Sequence, residues 1–138
     1  MADAIGTACV LVLAAVCCGA AQAGTDDFRC LKTTDARRPL RLEFRFPADE
    51  GKAGQVRYEH GSVAIPVRLV SREKAEMDPG RPYEFTTVWR EQPAGGTYTL
   101  VTQGARVYGA RYVRADGRTF AFTEDLDAVG DDGCTWTR

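Results

Sequence analysis

Few residues in this chain are suited to bond-making chemistry. The only histidine, His60, stands two positions before Ser62. That spacing puts both side chains on one face of a strand, as a Ser–His nucleophile pair would require. No Gly-x-Ser-x-Gly context surrounds Ser62, and His60-Gly61 reads as a hairpin turn. A turn histidine is the simpler assignment. A phosphate-cradling loop needs a helix behind it, and no stretch here carries a long helical period. Paired carboxylates fall only in polar, exposed-looking stretches. An enzyme is not expected, and neither is a cofactor.

Residues 124–133 (EDLDAVGDDG) hold Glu124, Asp125, Asp127, Asp131 and Asp132 with no basic residue. Asp125, Asp127 and Gly130 fall at positions 1, 3 and 6 of a calcium-binding EF-hand loop. Val129 and Trp136 then occupy positions 5 and 12, where an oxygen ligand and a bidentate Glu are required. No metal site is expected. The stretch reads instead as a local negative field able to steer a protein partner with a basic patch.

Five cysteines are present: Cys9, Cys17, Cys18, Cys30 and Cys134. The first three lie in an apolar, uncharged run over residues 8–18, followed by the small-x-small site Ala21-Gln22-Ala23. That run is too short to span a bilayer and has the length of a signal-peptide core. Residues 1–23 are therefore expected to be a cleaved leader, and residues 24–138 a single periplasmic or secreted domain. Cys30 and Cys134 remain near its two ends and are expected to form a disulfide. A metal or redox pair would want CxxC spacing and nearby histidines.

The leader's only charged side chain is Asp3, so the mature chain keeps 18 acidic against 18 basic residues. Near-zero net charge argues against nucleic-acid binding. No further apolar stretch is long enough to cross a membrane. The chain has no Asn and 15 Arg against three Lys, which reads as the codon bias of a GC-rich bacterial genome.

Residues 95–123 organise the rest. Gly104-Ala105 and Asp116-Gly117 are two-residue turn signals. Tight turns at both places set Thr102 opposite Val107, Tyr98 opposite Arg111, and Val113 opposite Phe120. Alternation then gives one core face with Tyr98, Leu100, Val107, Val113, Phe120 and Phe122, and with Arg111 among them. Arg111 becomes a cavity candidate, because a buried guanidinium needs a partner. The opposite face carries Tyr108 and Tyr112 beside Arg106 and Arg114, residue types enriched at binding hot spots.

Upstream, residues 40–46 (LRLEFRF) alternate with Leu40, Leu42, Phe44 and Phe46 inward. A hairpin is expected around His60-Gly61, with Val56 and Tyr58 inward on one strand and Val63, Ile65, Val67 and Leu69 inward on the next. Pro66 falls on the outward parity and marks an edge or a bulge. Residues 72–77 fit one helical turn or a short strand. Residues 83–92 alternate with Tyr83, Phe85 and Trp89 inward, and residues 134–137 are expected as a closing strand. Eight or nine short strands without a covering helix indicate an all-β, small antiparallel up-and-down barrel.

Gly109-Ala110-Arg111-Tyr112, with Phe120 downstream and a cysteine near each end, resembles the periplasmic and membrane-bound inhibitors of C-type lysozyme. Those carry a Ser-Gly-x-x-Tyr strand; Tyr108 stands here at the Ser position, and Glu124 near an expected Lys. The resemblance implies a small exported barrel that binds a protein, a lysozyme being one such target. The expected function is a binding module using Tyr108, Tyr112, Arg106 and Arg114 with the acidic stretch. The alternative is a small-ligand carrier with a hollow barrel.

Overall fold

A computed structural model describes residues 27–47 and 51–136. The expected leader lies outside the described residues. Eight strands follow in order: β1 (Asp27–Thr33), β2 (Arg41–Phe46), β3 (Ala53–Tyr58), β4 (Ile65–Ala75), β5 (Glu84–Glu91), β6 (Thr97–Gln103), β7 (Arg106–Val113) and β8 (Thr119–Glu124). Each pairs antiparallel with the next, and β8 pairs with β1 to close the barrel. Closure leaves no open sheet edge to template aggregation.

The period-two pattern of β2 shows why these segments become strands. Leu42 and Phe44 are fully buried, while Arg41 and Arg45 project from the wall. Leu31, Val56, Val67, Trp89, Tyr98, Leu100, Val107, Ala110 and Phe122 complete this buried cluster. Aromatic rings run through it from end to end. Phe120 lies over Tyr112, Tyr112 stacks on Tyr98, Tyr98 meets Phe44 edge-on, and Phe44 meets Phe46 and Trp89. The middle of the barrel is filled with side chains, as is usual for small barrels.

The expected register fails in β7 and is restored in β8. Tyr108 is an extra residue between two pairs, Thr102 with Val107 and Val101 with Gly109. This bulge flips the parity of everything that follows in the strand. Ala110 and Tyr112 therefore turn inward, and Arg111 and Val113 outward. Arg111 is exposed on the outer wall and is not a cavity residue. The next turn is also longer than expected. Val113 pairs with Thr119, Arg114 and Arg118 close the loop, and Gly117 adopts φ +86°. This is the three-residue loop with a left-handed glycine, not a two-residue turn. The second one-residue offset cancels the first, so Phe120 and Phe122 face the core as expected.

Other expectations are corrected more locally. Pro66 is the second residue of β4 and marks neither an edge nor a bulge; the bulge of β4 lies between Leu69 and Ser71. Of the two readings of residues 72–77, the strand holds for residues 72–75, which continue β4. Val63 and Tyr83 are exposed rather than inward. Cys134 makes one isolated bridge to Val129 instead of opening a closing strand.

The segment after β8 packs on the outside of β1 and β2. It contains a short 3-10 helix, Leu126–Ala128, and is tied down by the Cys30–Cys134 disulfide, with a Cα–Cα distance of 5.7 Å. Phe28, Ala128 and Trp136 gather around the bond as a second small core. Among the described residues no helix is long and apolar enough to cross a membrane.

Candidate functional site

The outer wall of β4 to β8 carries a group of arginines that join no ion pair among the described residues. Arg68 on β4 stands directly opposite Arg90 on β5, followed across the sheet by Thr97, Val113 and Thr119. The neighbouring row reads Ser71, Val88, Thr99, Arg111 and Ala121. Neither row contains a carboxylate. Arg68, Arg90 and Arg111 are exposed, and none joins an ion pair among the described residues. Tyr108, pushed out by its bulge, is 65% exposed beside this field. Like charges directly opposite on a sheet destabilise it, so the Arg68–Arg90 pair does not help to hold β4 to β5.

The residues expected to bind a partner divide into two groups. Tyr108, Arg106 and Arg114 reach the surface, where Arg114 lies 3.5 Å from Asp116. Tyr112 does not. Its ring is half-buried on Tyr98, and its hydroxyl donates to Glu91 Oε1 at 3.0 Å.

The acidic stretch is also not a uniform negative field. Glu124 is 7% exposed at its side chain; it accepts from Arg106 Nε and, at 2.8 Å, from the Val107 amide. Asp125 is buried, with Lys32 Nζ at 3.0 Å and Arg41 Nε at 3.4 Å. Glu124 ties the end of β8 to β7, and Asp125 anchors the C-terminal segment to β1 and β2. Only Asp127, Asp131 and Asp132 are exposed. Among the described residues no three His, Cys, Asp or Glu side chains converge on a metal-sized point.

Glu43 is an anchor that no sequence signal announced. Its parity is outward, yet the C-terminal segment covers it to 4% exposure. Burial alone would raise its pKa. The Cys134 amide at 2.7 Å, the hydrogen bonds from Arg45, and the charges of Arg45 and Arg57 outweigh burial and hold the carboxyl below the ordinary Glu range. Arg68 and Arg90 were missed for a different reason. Each sits next to an inward residue and is visibly outward, but their opposition appears only once the β4–β5 register is known.

No family model, curated protein or solved structure matches the chain. The site's chemistry therefore rests on its own geometry. His60 is 88% exposed at its side chain in the β3–β4 turn, and its nearest acid is Glu59 at 3.8 Å. Ser62 is exposed and makes no hydrogen bond to it. What the molecule offers at its surface is an arginine, threonine and tyrosine wall over a filled barrel.

Proposed function

We propose that this protein is an exported, non-catalytic binding module that engages a partner protein through the outer wall of β4 to β8. The observation that carries this is the exposed Arg68–Arg90 pair, which opposes like charges across two strands and joins no ion pair among the described residues. A carboxylate-bearing surface would relieve that repulsion and accept charge-assisted hydrogen bonds from both forks. Tyr108 adds rigid contact area at the same wall. The Cys30–Cys134 bond fits an oxidising compartment.

The partner's charge follows from the side chains left free. A basic partner was expected from five clustered carboxylates, but Glu124 and Asp125 are already paired with cations of this chain. An acidic partner fits the wall better, and a basic C-type lysozyme fits it less well. Binding of poly-L-glutamate, measured at low and physiological salt, tests this. Arg68→Gln/Arg90→Gln should weaken it at least tenfold at low salt, with the melting temperature unchanged or higher. If the double variant binds as tightly as the parent, the wall is not the working surface. Saturable, Tyr108-dependent binding of a C-type lysozyme would restore the inhibitor reading.

A further inference from the structure

One end of the barrel is open while the other is closed by tyrosines. At the open end a cavity of about 320 Å³ lies between β1, β2, β4 and β5. Its floor and sides include Phe46, Leu69, Phe85 and Trp89. Two arginines, Arg29 and Arg72, line this mouth together with Asp27 and the hydroxyl side chains of Thr87 and Thr102.

Both are brought there by the backbone. Arg29 has the inward parity of its neighbour Leu31 on β1, and its side chain is only 17% exposed. Arg72 would face outward if β4 alternated without interruption from Val67 and Leu69. The bulge between Leu69 and Ser71 inserts Val70 and turns Arg72 toward the rim of the mouth, opposite Thr87, where it stays exposed. Bulges commonly re-aim a side chain beside a site. The guanidinium of Arg72 then lies 4.2 Å over the Phe85 ring, which fixes its direction.

Of the two, Arg29 has a buried donor without a partner, whereas Arg72 is exposed to solvent. Arg29 Nη1 donates to Asp27 and, at 2.7 Å, to the Phe28 carbonyl, but its Nε is buried without a partner. Arg72 joins no ion pair among the described residues. A buried donor left unpaired carries a desolvation penalty that an arriving acceptor removes. With Asp27 answering one of the two charges, the described residues leave one positive charge at the mouth over an aromatic floor.

We propose that this mouth binds a small apolar carboxylate, its chain or ring on Phe46, Leu69 and Trp89 and its carboxylate between Arg29 and Arg72. The size fits the lower end of small-molecule pockets, which have mostly apolar linings and a few polar groups that fix orientation. A bare anion would leave the aromatic floor uncovered, and a neutral apolar molecule would leave Arg72 without a counter-charge. The site is separate from the outer wall and does not depend on the protein-binding reading.

The test uses octanoate, 1-octanol and inorganic phosphate with the purified disulfide-bonded protein. The readout is the indole N–H resonance of Trp89, which donates to Thr87 Oγ1 at 3.0 Å within the mouth. Octanoate should shift it saturably, at least tenfold more tightly than octanol or phosphate. Arg72→Gln should weaken octanoate at least fivefold and leave octanol unchanged; Phe85 and Trp89 stay in place in that variant, so a folding defect is separable by its melt. Equal affinity for octanoate and octanol would overturn the proposal. So would phosphate binding as tightly as octanoate, no saturable shift with octanoate, or an Arg72→Gln variant that binds it undiminished.

Discussion

The rings of Tyr98 and Tyr112 stack with centroids 4.4 Å apart, and both hydroxyls donate to Glu91 Oε1 at 3.0 Å. Tyr58 joins through the Tyr98 hydroxyl at 2.8 Å, and the Gly96 amide donates to Glu91 Oε2 at 2.8 Å. One carboxylate thus gathers the tyrosines at this end of the barrel. A Cβ on buried Gly96 would overlap the Tyr112 ring. Gly96→Ala should therefore lower stability by about 1–3 kcal/mol. Adding Tyr112→Ala should make the Gly96→Ala change nearly neutral, read by a double-mutant thermal cycle. Equal losses in both backgrounds would show that the ring is not the obstacle.

The same cluster sets the alkaline limit. Burial pushes the Tyr98 hydroxyl well above its ordinary value of 10.0, and Tyr58 and the Glu91 carboxylate push it further; burial and Glu91 also raise Tyr112. A raised folded-state pKa contributes stability that is complete below pH 10 and is lost as the pH rises above it. Denaturant midpoints should fall steeply above pH 10, and Tyr98→Phe should flatten that fall. An unchanged slope in Tyr98→Phe would place the alkaline-labile group elsewhere.

Glu43 governs the acid side. Its folded pKa lies below the ordinary 4.5, so its contribution is complete above that value and fades as the pH falls through the lower folded value. Glu43→Gln should lose stability at pH 7 and show a shallower decline toward pH 3. Breaking a buried pair costs roughly 3–5 kcal/mol because the partner charges are left unanswered. Partial exposure of Arg45 and Arg57, at 28% and 48% of their side chains, places the expected loss below that range. A parent-like acid limb in the variant would contradict the assignment.

The bulge at Tyr108 gives a test of the wall itself. Ala110→Asp buries an unpaired carboxylate among Leu100 and Phe122 and should unfold the domain. Arg111→Asp and Val113→Asp should melt close to the parent. The uninterrupted alternation expected from the sequence puts Val113 in the core, so collapse of Val113→Asp with survival of Ala110→Asp would remove the bulge.

Much of the barrel was legible because period-two alternation survives burial on one side only. Leu42, Phe44, Val56, Val67, Trp89, Tyr98 and Leu100 all face inward as their spacing says. The disulfide followed from two cysteines left near the ends. The site was less legible. A bulge leaves no mark in composition beyond Gly109, so Arg111 and Tyr112 exchanged faces. Charge clustering in residues 124–133 looked like a solvated loop because the cations that neutralise Glu124 and Asp125 come from β7, β1 and β2. The opposition of Arg68 and Arg90 is a register property, visible only after the strands are paired.

The most direct measurement is an amide chemical-shift map of the protein during titration with poly-L-glutamate at low salt. The expected shifts cluster at Arg68, Arg90, Tyr108 and Arg111, saturate together, and shrink with added salt as exposed charges are screened. Shifts scattered over unrelated cations, or a saturable map centred on Asp127, Asp131 and Asp132 when a basic C-type lysozyme is added instead, would contradict the assignment of the outer wall as the binding surface.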